Sequence, residues 1–246
     1  MTDADAAAPR RGLFLAFEGV EGAGKTTQVR LLADALRAAG ATVTVAREPG
    51  STPLGERVRE TVLADLGLGV PARSELFLML AARAAFVEQV VRPAVARGET
   101  VIADRFELST LAYQGAGRGL PLDEVRACNR FATGGTAPDA TLLLDLEPEE
   151  GARRQQEAGK SQDRMEREDA AFHARVAAGY RELARRVEGI VRVDALGAEA
   201  EVHRRVLAAL ASRFPETFPA SGFIKRETGA PAPGDGPHPG HGTSGG

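Results

Sequence analysis

Eight residues near the start of the chain, Gly19-Val20-Glu21-Gly22-Ala23-Gly24-Lys25-Thr26, follow the pattern G-x-x-x-x-G-K-[ST], and the chemistry they suit is the holding of a polyphosphate. Glycines let successive backbone N–H groups turn inward around the anion, Lys25 can reach the outer phosphates, and the Thr26 hydroxyl can hold Mg²⁺, with Thr27 completing the turn into a helix. An acid fits the same metal. Asp104 closes the apolar run Val101-Ile102-Ala103, the pattern of a carboxylate that meets Mg²⁺ directly or through water. Arg105 follows it, and Arg47 ends another apolar run; each guanidinium offers a planar fork to phosphate oxygens. Glu21 is the odd member, because an acid inside a phosphate loop repels its ligand.

These residues must be positioned by strands. Residues 13–18 read as a buried strand before the loop, and Val29, Leu31, Leu32 and Leu36 give the following helix, about 25–39, an apolar stripe that stops at Gly40. A strand at 41–46, a helix near 54–66 and a long helix at about 74–97, interrupted by Pro93, come next. A strand at 100–104 leads into a polar loop through Ser109, Thr110, Tyr113 and Gln114 to glycines 115, 117 and 119. Helix 121–133, strand 140–146, helix 169–187, strand 190–194 and helix 198–213 complete the pattern. Five strands alternating with helices predict an α/β protein with a parallel five-stranded sheet and right-handed crossovers, so ligands should gather at the carboxyl ends of the strands. Residues 149–168 hold almost no large apolar side chains and are expected to stay out of the core.

Composition sets the outer bounds. The chain has 246 residues, 43% hydrophobic and 26% charged, as expected of one soluble domain with tails. Residues 1–11 read as a disordered leader and 214–246, ending in a Pro/Gly-rich stretch with His238 and His241, as a disordered tail without a metal site. A net charge of −3 makes no general case for a nucleic-acid partner, no apolar run is long enough to span a membrane, and Cys128, the single cysteine, excludes an internal disulfide. A cytoplasmic protein is expected. A GTP-dependent switch would carry N-K-x-D and D-x-x-G motifs, and neither is in place.

Four segments in order, FEGVEGAGKTT, REPGST, DRFELSTLAYQGAGRG and DRME, closely resemble the thymidylate kinase family over about residues 12–212. The resemblance implies a P-loop nucleoside-monophosphate-kinase-like fold with a short lid at about 149–168. It also implies a homodimer that transfers the γ-phosphoryl group of ATP to dTMP, giving dTDP and ADP for dTTP synthesis, with Mg²⁺ as cofactor. By the same resemblance Arg47 and Arg105 hold the dTMP phosphate, Arg83 hydrogen-bonds the thymine, and Thr110, Tyr113 and Gln114 line the nucleoside pocket. Tyr113 stands where a 2′-hydroxyl would crowd it, and Asp194, Ala195 and Leu196 border the adenine. Glu21 then binds the acceptor's 3′-hydroxyl or positions a neighbouring arginine.

The P-loop lacks the catalytic arginine of some relatives, so a lid residue, Arg153, Arg154 or Arg164, is expected to supply the charge; such a finger is worth about 10³ to 10⁵ in rate. Relatives usually stack a Phe on the thymine four residues before the base-binding arginine, and this chain has Met79 there. Positions i and i+4 share a helix face, so Met79 should point at the base, while Phe77, roughly 200° away, should not.

Overall fold

A computed structural model describes residues 11–64, 67–159 and 162–218. The rest of the expected leader, most of the expected tail and both tail histidines lie outside the described residues.

Strands β1 (Phe14–Glu18), β2 (Val43–Arg47), β3 (Thr100–Asp104), β4 (Ala140–Asp145) and β5 (Ile190–Asp194) form one parallel sheet in the order β2-β3-β1-β4-β5. The central strands are apolar on both faces because helices cover both. Along β1, Leu15 and Phe17 join the larger core and Phe14 and Ala16 the smaller one, as period-2 alternation requires. The smaller core is pinned by Phe14, Phe86 and Phe106, whose rings meet edge to face at 4.9 to 6.4 Å. Each such buried ring contributes about 1.5–3 kcal/mol.

Around the sheet lie α1 (Lys25–Ala38), α2 (Pro53–Leu63), α3 (Ala72–Phe86), α4 (Arg92–Ala96), α5 (Glu107–Thr110), α6 (Leu122–Thr133), α7 (Pro148–Glu157), α8 (Ala170–Arg186) and α9 (Glu199–Arg213). A wider π-turn over Val87–Val91 joins α3 to α4. Pro93 follows it inside a helix that runs unbroken from α3 into α4, and the loosened π-turn just before it accommodates the missing N–H and the ring. Strand order reverses at β1, which places the crevice at the carboxyl ends of β1, β3 and β4.

Three expectations change. The segment after β3 is helical, first as α5 and then as a π-helix over Leu111–Gly117 packed on α8, so the site residues there sit on a rigid support instead of a loop. In the polar stretch 149–168, Met165 is buried in the main core; one apolar side chain suffices to anchor the lid's return. The core also extends past residue 213: Phe218 is fully buried and Phe214 packs beside it. Leu76, Leu80 and Phe86 of α3 are buried, whereas Phe77 is 61% exposed.

Candidate active site

At the carboxyl end of the sheet lies a cavity of about 1210 Å³, larger than the ~300–1,000 Å³ of a typical single-ligand pocket. Residues Glu21 to Thr27 line it. Gly24 caps α1 with φ 88°, a left-handed conformation that suits glycine, and no side chain caps the helix. The N-terminal N–H groups of α1 are therefore directed at whatever anion the loop holds. Lys25 Nζ donates to the carbonyls of Gly19 (3.0 Å) and Val20 (2.8 Å). These two residues act through their carbonyls and are not part of the lining.

Thr26 Oγ1 donates to Asp104 Oδ2 at 2.6 Å, bringing together the two oxygen groups expected at Mg²⁺. No cluster of three or more His, Cys, Asp or Glu side chains able to hold a metal occurs among the described residues. Hydroxyl plus single carboxylate nonetheless suits Mg²⁺, which keeps waters and takes its other oxygens from phosphates. The residues present fit the ion.

Facing the loop stand three arginines. Arg105 occupies φ 76°, a strained backbone for a non-glycine residue, and a buried carboxylate explains how it is held. Glu18, at the end of β1, accepts from the N–H groups of Phe106 (2.8 Å) and Ser109 (3.1 Å), and from the hydroxyls of Ser109 (2.5 Å) and Tyr180 (3.1 Å). Tyr180 and Ser109 in turn accept from Arg105 Nη1 at 3.2 and 3.1 Å. Nη2 of Arg105 pairs with Glu21, and its guanidinium lies 5.1 Å from the Tyr113 ring centroid. Burial opposes ionisation of Glu21, but Arg105 and Lys25 outweigh it and hold the carboxyl at about 2. The acid of the phosphate loop is therefore tied to the strand-end arginine. Arg47 is seated by Glu56 at 3.0 Å, and Arg59 of α2 reaches the cavity with its Nη1 on the Pro49 carbonyl at 3.2 Å. Burial and the nearby Arg47 lower the pKa of Arg59, the mark of cations crowded together.

Beyond the arginines the cavity turns apolar. Met79 lines it from α3, packed beside Val58, Val62 and Ala82. Arg83, one turn on, is buried and donates to Glu48, Thr110, Asn129 and the Phe106 carbonyl. All five of its N–H groups are thereby directed at protein partners, counting the second contact with Glu48 at 2.6 Å. Burial pushes the Glu48 carboxyl up to about 7 against the charge of Arg83, and its Oε1 is buried without a partner. Thr110, Tyr113 and Gln114 line the cavity as expected from the sequence, and Gln114 Nε2 donates to Glu75.

The three lid arginines separate. Arg154 lines the cavity and bonds Glu150 and the Ala195 carbonyl. Arg153 lies outside the cavity, paired with Glu150 and Glu157 of its own helix. Arg164 turns away to Glu75 and the Val62 carbonyl. At the far end the lining comes from Gly197, Ala198 and Glu199 instead of Asp194, Ala195 and Leu196. Ala195 is buried in the core, Leu196 is exposed, and Asp194 turns to the Leu196 N–H. β5 ends where the sequence suggests, and its exit loop runs three residues further before reaching the rim.

Glu48 stands inside the REPGST segment without a role read for it there, and Glu75 and Arg59 carry no motif of their own. For Glu75 and Arg59 helical spacing offered the available signal: Glu75, Met79 and Arg83 repeat at i, i+4, i+8, and Arg59 falls four after the buried Gly55 of α2.

A five-stranded parallel sheet, a P-loop opening on a large arginine-lined cavity and an arginine-bearing lid define a P-loop nucleoside-monophosphate kinase. The family model "Thymidylate kinase" matches residues 17–206. The chain is 48% identical over 204 residues to a thymidylate kinase of Deinococcus radiodurans, covering 82% of this chain and 98% of that one. It is 47% identical over 205 residues to one of Desulfosudis oleivorans, covering 80% and 96%. The crystal structure of a thymidylate kinase from Ehrlichia chaffeensis superposes with a TM-score of 0.67 at 29% identity, covering 81% of this chain and 99% of that one. The chain belongs to the thymidylate kinase family.

Proposed function

We propose that the cavity seats two nucleotides with their phosphates facing each other, ATP over the P-loop and dTMP between α2, α3 and the helical segment after β3. The reaction is that of the family: the γ-phosphoryl group of ATP passes to dTMP, giving dTDP and ADP. An oxygen of the dTMP phosphate attacks Pγ in line, the Pγ–O bond to the β-phosphate breaks, and ADP leaves. No strong general base is required, since a phosphate monoester with a second pKa near ~6 is already largely ionised. Catalysis is then positioning plus charge stabilisation.

Lys25 and the loop amides hold the β- and γ-phosphates, which requires the Lys25 ammonium to swing from the carbonyls of Gly19 and Val20. Thr26 and Asp104 would hold Mg²⁺, which when bound neutralises charge on the β- and γ-oxygens. Arg47, Arg59 and Arg105 take the dTMP phosphate, Met79 lies against the base, and Tyr113 crowds the sugar's 2′ position. Arg83 reaches the thymine by exchanging one of its protein partners. Arg154 is the lid cation placed to meet the transferring group, and the lid excludes water that would otherwise hydrolyse ATP.

The carrying observation is the pair Glu21–Arg105, which joins the donor loop to the acceptor arginine within one cavity. The test is coupled ADP release with ATP, Mg²⁺ and a panel of monophosphates and nucleosides. Turnover with dTMP, weaker with dUMP, supports the assignment, and ADP release indifferent to the acceptor refutes it.

Two further assignments belong to the same reading. A homodimer would cover Phe77 of α3 and Phe131 of α6, exposed by 61% and 91% on helices that pack on each other, and sedimentation tests it. No described helix is long and apolar enough to cross a membrane, and a cytoplasmic location accords with that and with the single, unpaired Cys128.

A further inference from the structure

Glu75 is fully buried in the first turn of α3, does not line the cavity, and has no part in the chemistry above. Yet it is among the most heavily engaged carboxylates in the molecule. Its Oε1 accepts from Gln114 Nε2 at 2.8 Å and from Arg118 Nε at 3.2 Å; its Oε2 accepts from Arg118 Nη2 at 3.1 Å and from Arg164 Nη2 of the lid. Two cations opposite one carboxylate offset the desolvation, and the carboxyl stays below its ordinary range.

An ionised carboxylate can only accept hydrogen bonds. The Gln114 amide is therefore not free to rotate by half a turn, since that would set its carbonyl against Glu75. Glu75 takes one of the two Nε2 hydrogens and so fixes the orientation of the amide; beside the second hydrogen, the group Gln114 presents to the cavity it lines is Oε1, an acceptor that no hydrogen bond among the described residues uses. Whatever base edge meets it must donate. At ring position 3 that requirement separates two classes of pyrimidine: thymine and uracil carry an N–H there, whereas cytosine carries an unprotonated nitrogen and could meet Oε1 only by turning its 4-amino group to it.

We propose that Glu75 is a positioning residue for acceptor selection: it pins the Gln114 amide carbonyl-inward, so that the site favours a pyrimidine monophosphate with a ring N3–H over one without. Arg118 and Arg164 keep Glu75 ionised and hence acceptor-only. Arg118 is itself held by Glu168 at 2.6 Å, so the lid's return segment contributes to how the base is read. This rests on the placement of dTMP proposed above.

The test is the ratio of kcat/KM for dTMP to that for dCMP, in the wild type and in Glu75→Gln. A glutamine at position 75 offers both a donor and an acceptor and so permits either orientation of Gln114. Loss of one such discriminating hydrogen bond should lower the ratio by about 10–100-fold, mainly through dTMP KM and a gain in dCMP turnover. An unaltered ratio with both substrates slowed equally would mean a purely structural carboxylate and overturn the proposal. If Glu75→Gln does not fold, Arg164→Met, which removes one of the two cations from the rim of the cluster, reads the same ratio: a fall supports the proposal, and a wild-type ratio overturns it. A wild type that releases no ADP with dTMP would instead refute the placement of the acceptor.

Discussion

Replacing Glu21 by Gln removes one charge from the centre of the site while keeping its shape. The carboxyl is held at about 2 against an ordinary value of 4.5. At about 1.4 kcal/mol per pH unit this amounts to ~3 kcal/mol of preference for the carboxylate form. Arg105, a largely buried guanidinium on strained backbone, is the foremost of the groups that favour the carboxylate, ahead of Lys25. An amide at position 21 can still accept a hydrogen bond, so a loss of roughly 1.5–3 kcal/mol in the holding of Arg105 is expected. If Arg105 acts only when aimed at the transferring phosphate, kcat with dTMP should fall by about 10–100-fold. The KM for ATP should remain within about twofold, because the loop amides are untouched and Lys25 keeps two of the three carboxylates that act on it, Asp104 and Glu18. Steady-state kinetics with each substrate varied in turn gives both numbers. A variant with raised ATP KM and unimpaired dTMP turnover would refute the link between the loop acid and the acceptor arginine.

Three other perturbations are informative. Met79→Phe should lower the dTMP KM by roughly fivefold, since stacking on an aromatic is worth about 1–3 kcal/mol against about 0.3–1.5 for a methionine sulfur; an unchanged or raised KM contradicts the placement of the base. Gly151→Ala would set a Cβ 2.1 Å from the Glu21 carbonyl oxygen, forcing α7 off the P-loop. Alanine also favours the helix by about 1 kcal/mol, so kcat should drop at least tenfold with Tm unchanged or raised, and wild-type kcat would show that the lid helix need not touch the loop. Glu48 has a folded-state pKa raised from 4.5 to about 7, so its contribution to stability is fully present below 4.5 and is lost as pH rises through about 7. Thermal melts across this window should show the wild type losing Tm relative to Glu48→Gln, and parallel curves would mean Glu48 is ionised throughout.

Strands, the P-loop and the strand-end residues Asp104, Arg105 and Arg47 were legible because each depends on local pattern: period-2 burial, glycine spacing, and position at the end of an apolar run. Helicity after β3 was not, because glycines 115, 117 and 119 read as loop while packing against α8 enforces a π-helix. The lid arginines look alike in sequence, and only tertiary partners separate them. Arg153 meets glutamates three and four residues away on its own helix, Arg164 meets a glutamate 89 positions away, and Arg154 is left at the cavity. Glu75, and the burial of Glu48 within the quoted REPGST segment, were not legible for the same reason: a buried acid is defined by the cations around it, which come from distant segments. Phe218 lay beyond the last periodic helix, and nothing local marks it as core.

The most direct test of the central claim follows the phosphoryl group itself. With ATP labelled at the γ-phosphate, Mg²⁺ and dTMP, the label is expected in the β-phosphate of dTDP, with little in inorganic phosphate. Label found chiefly in inorganic phosphate, at a rate independent of dTMP, would show that the two halves of the cavity do not serve one transfer and would contradict the function assigned to it.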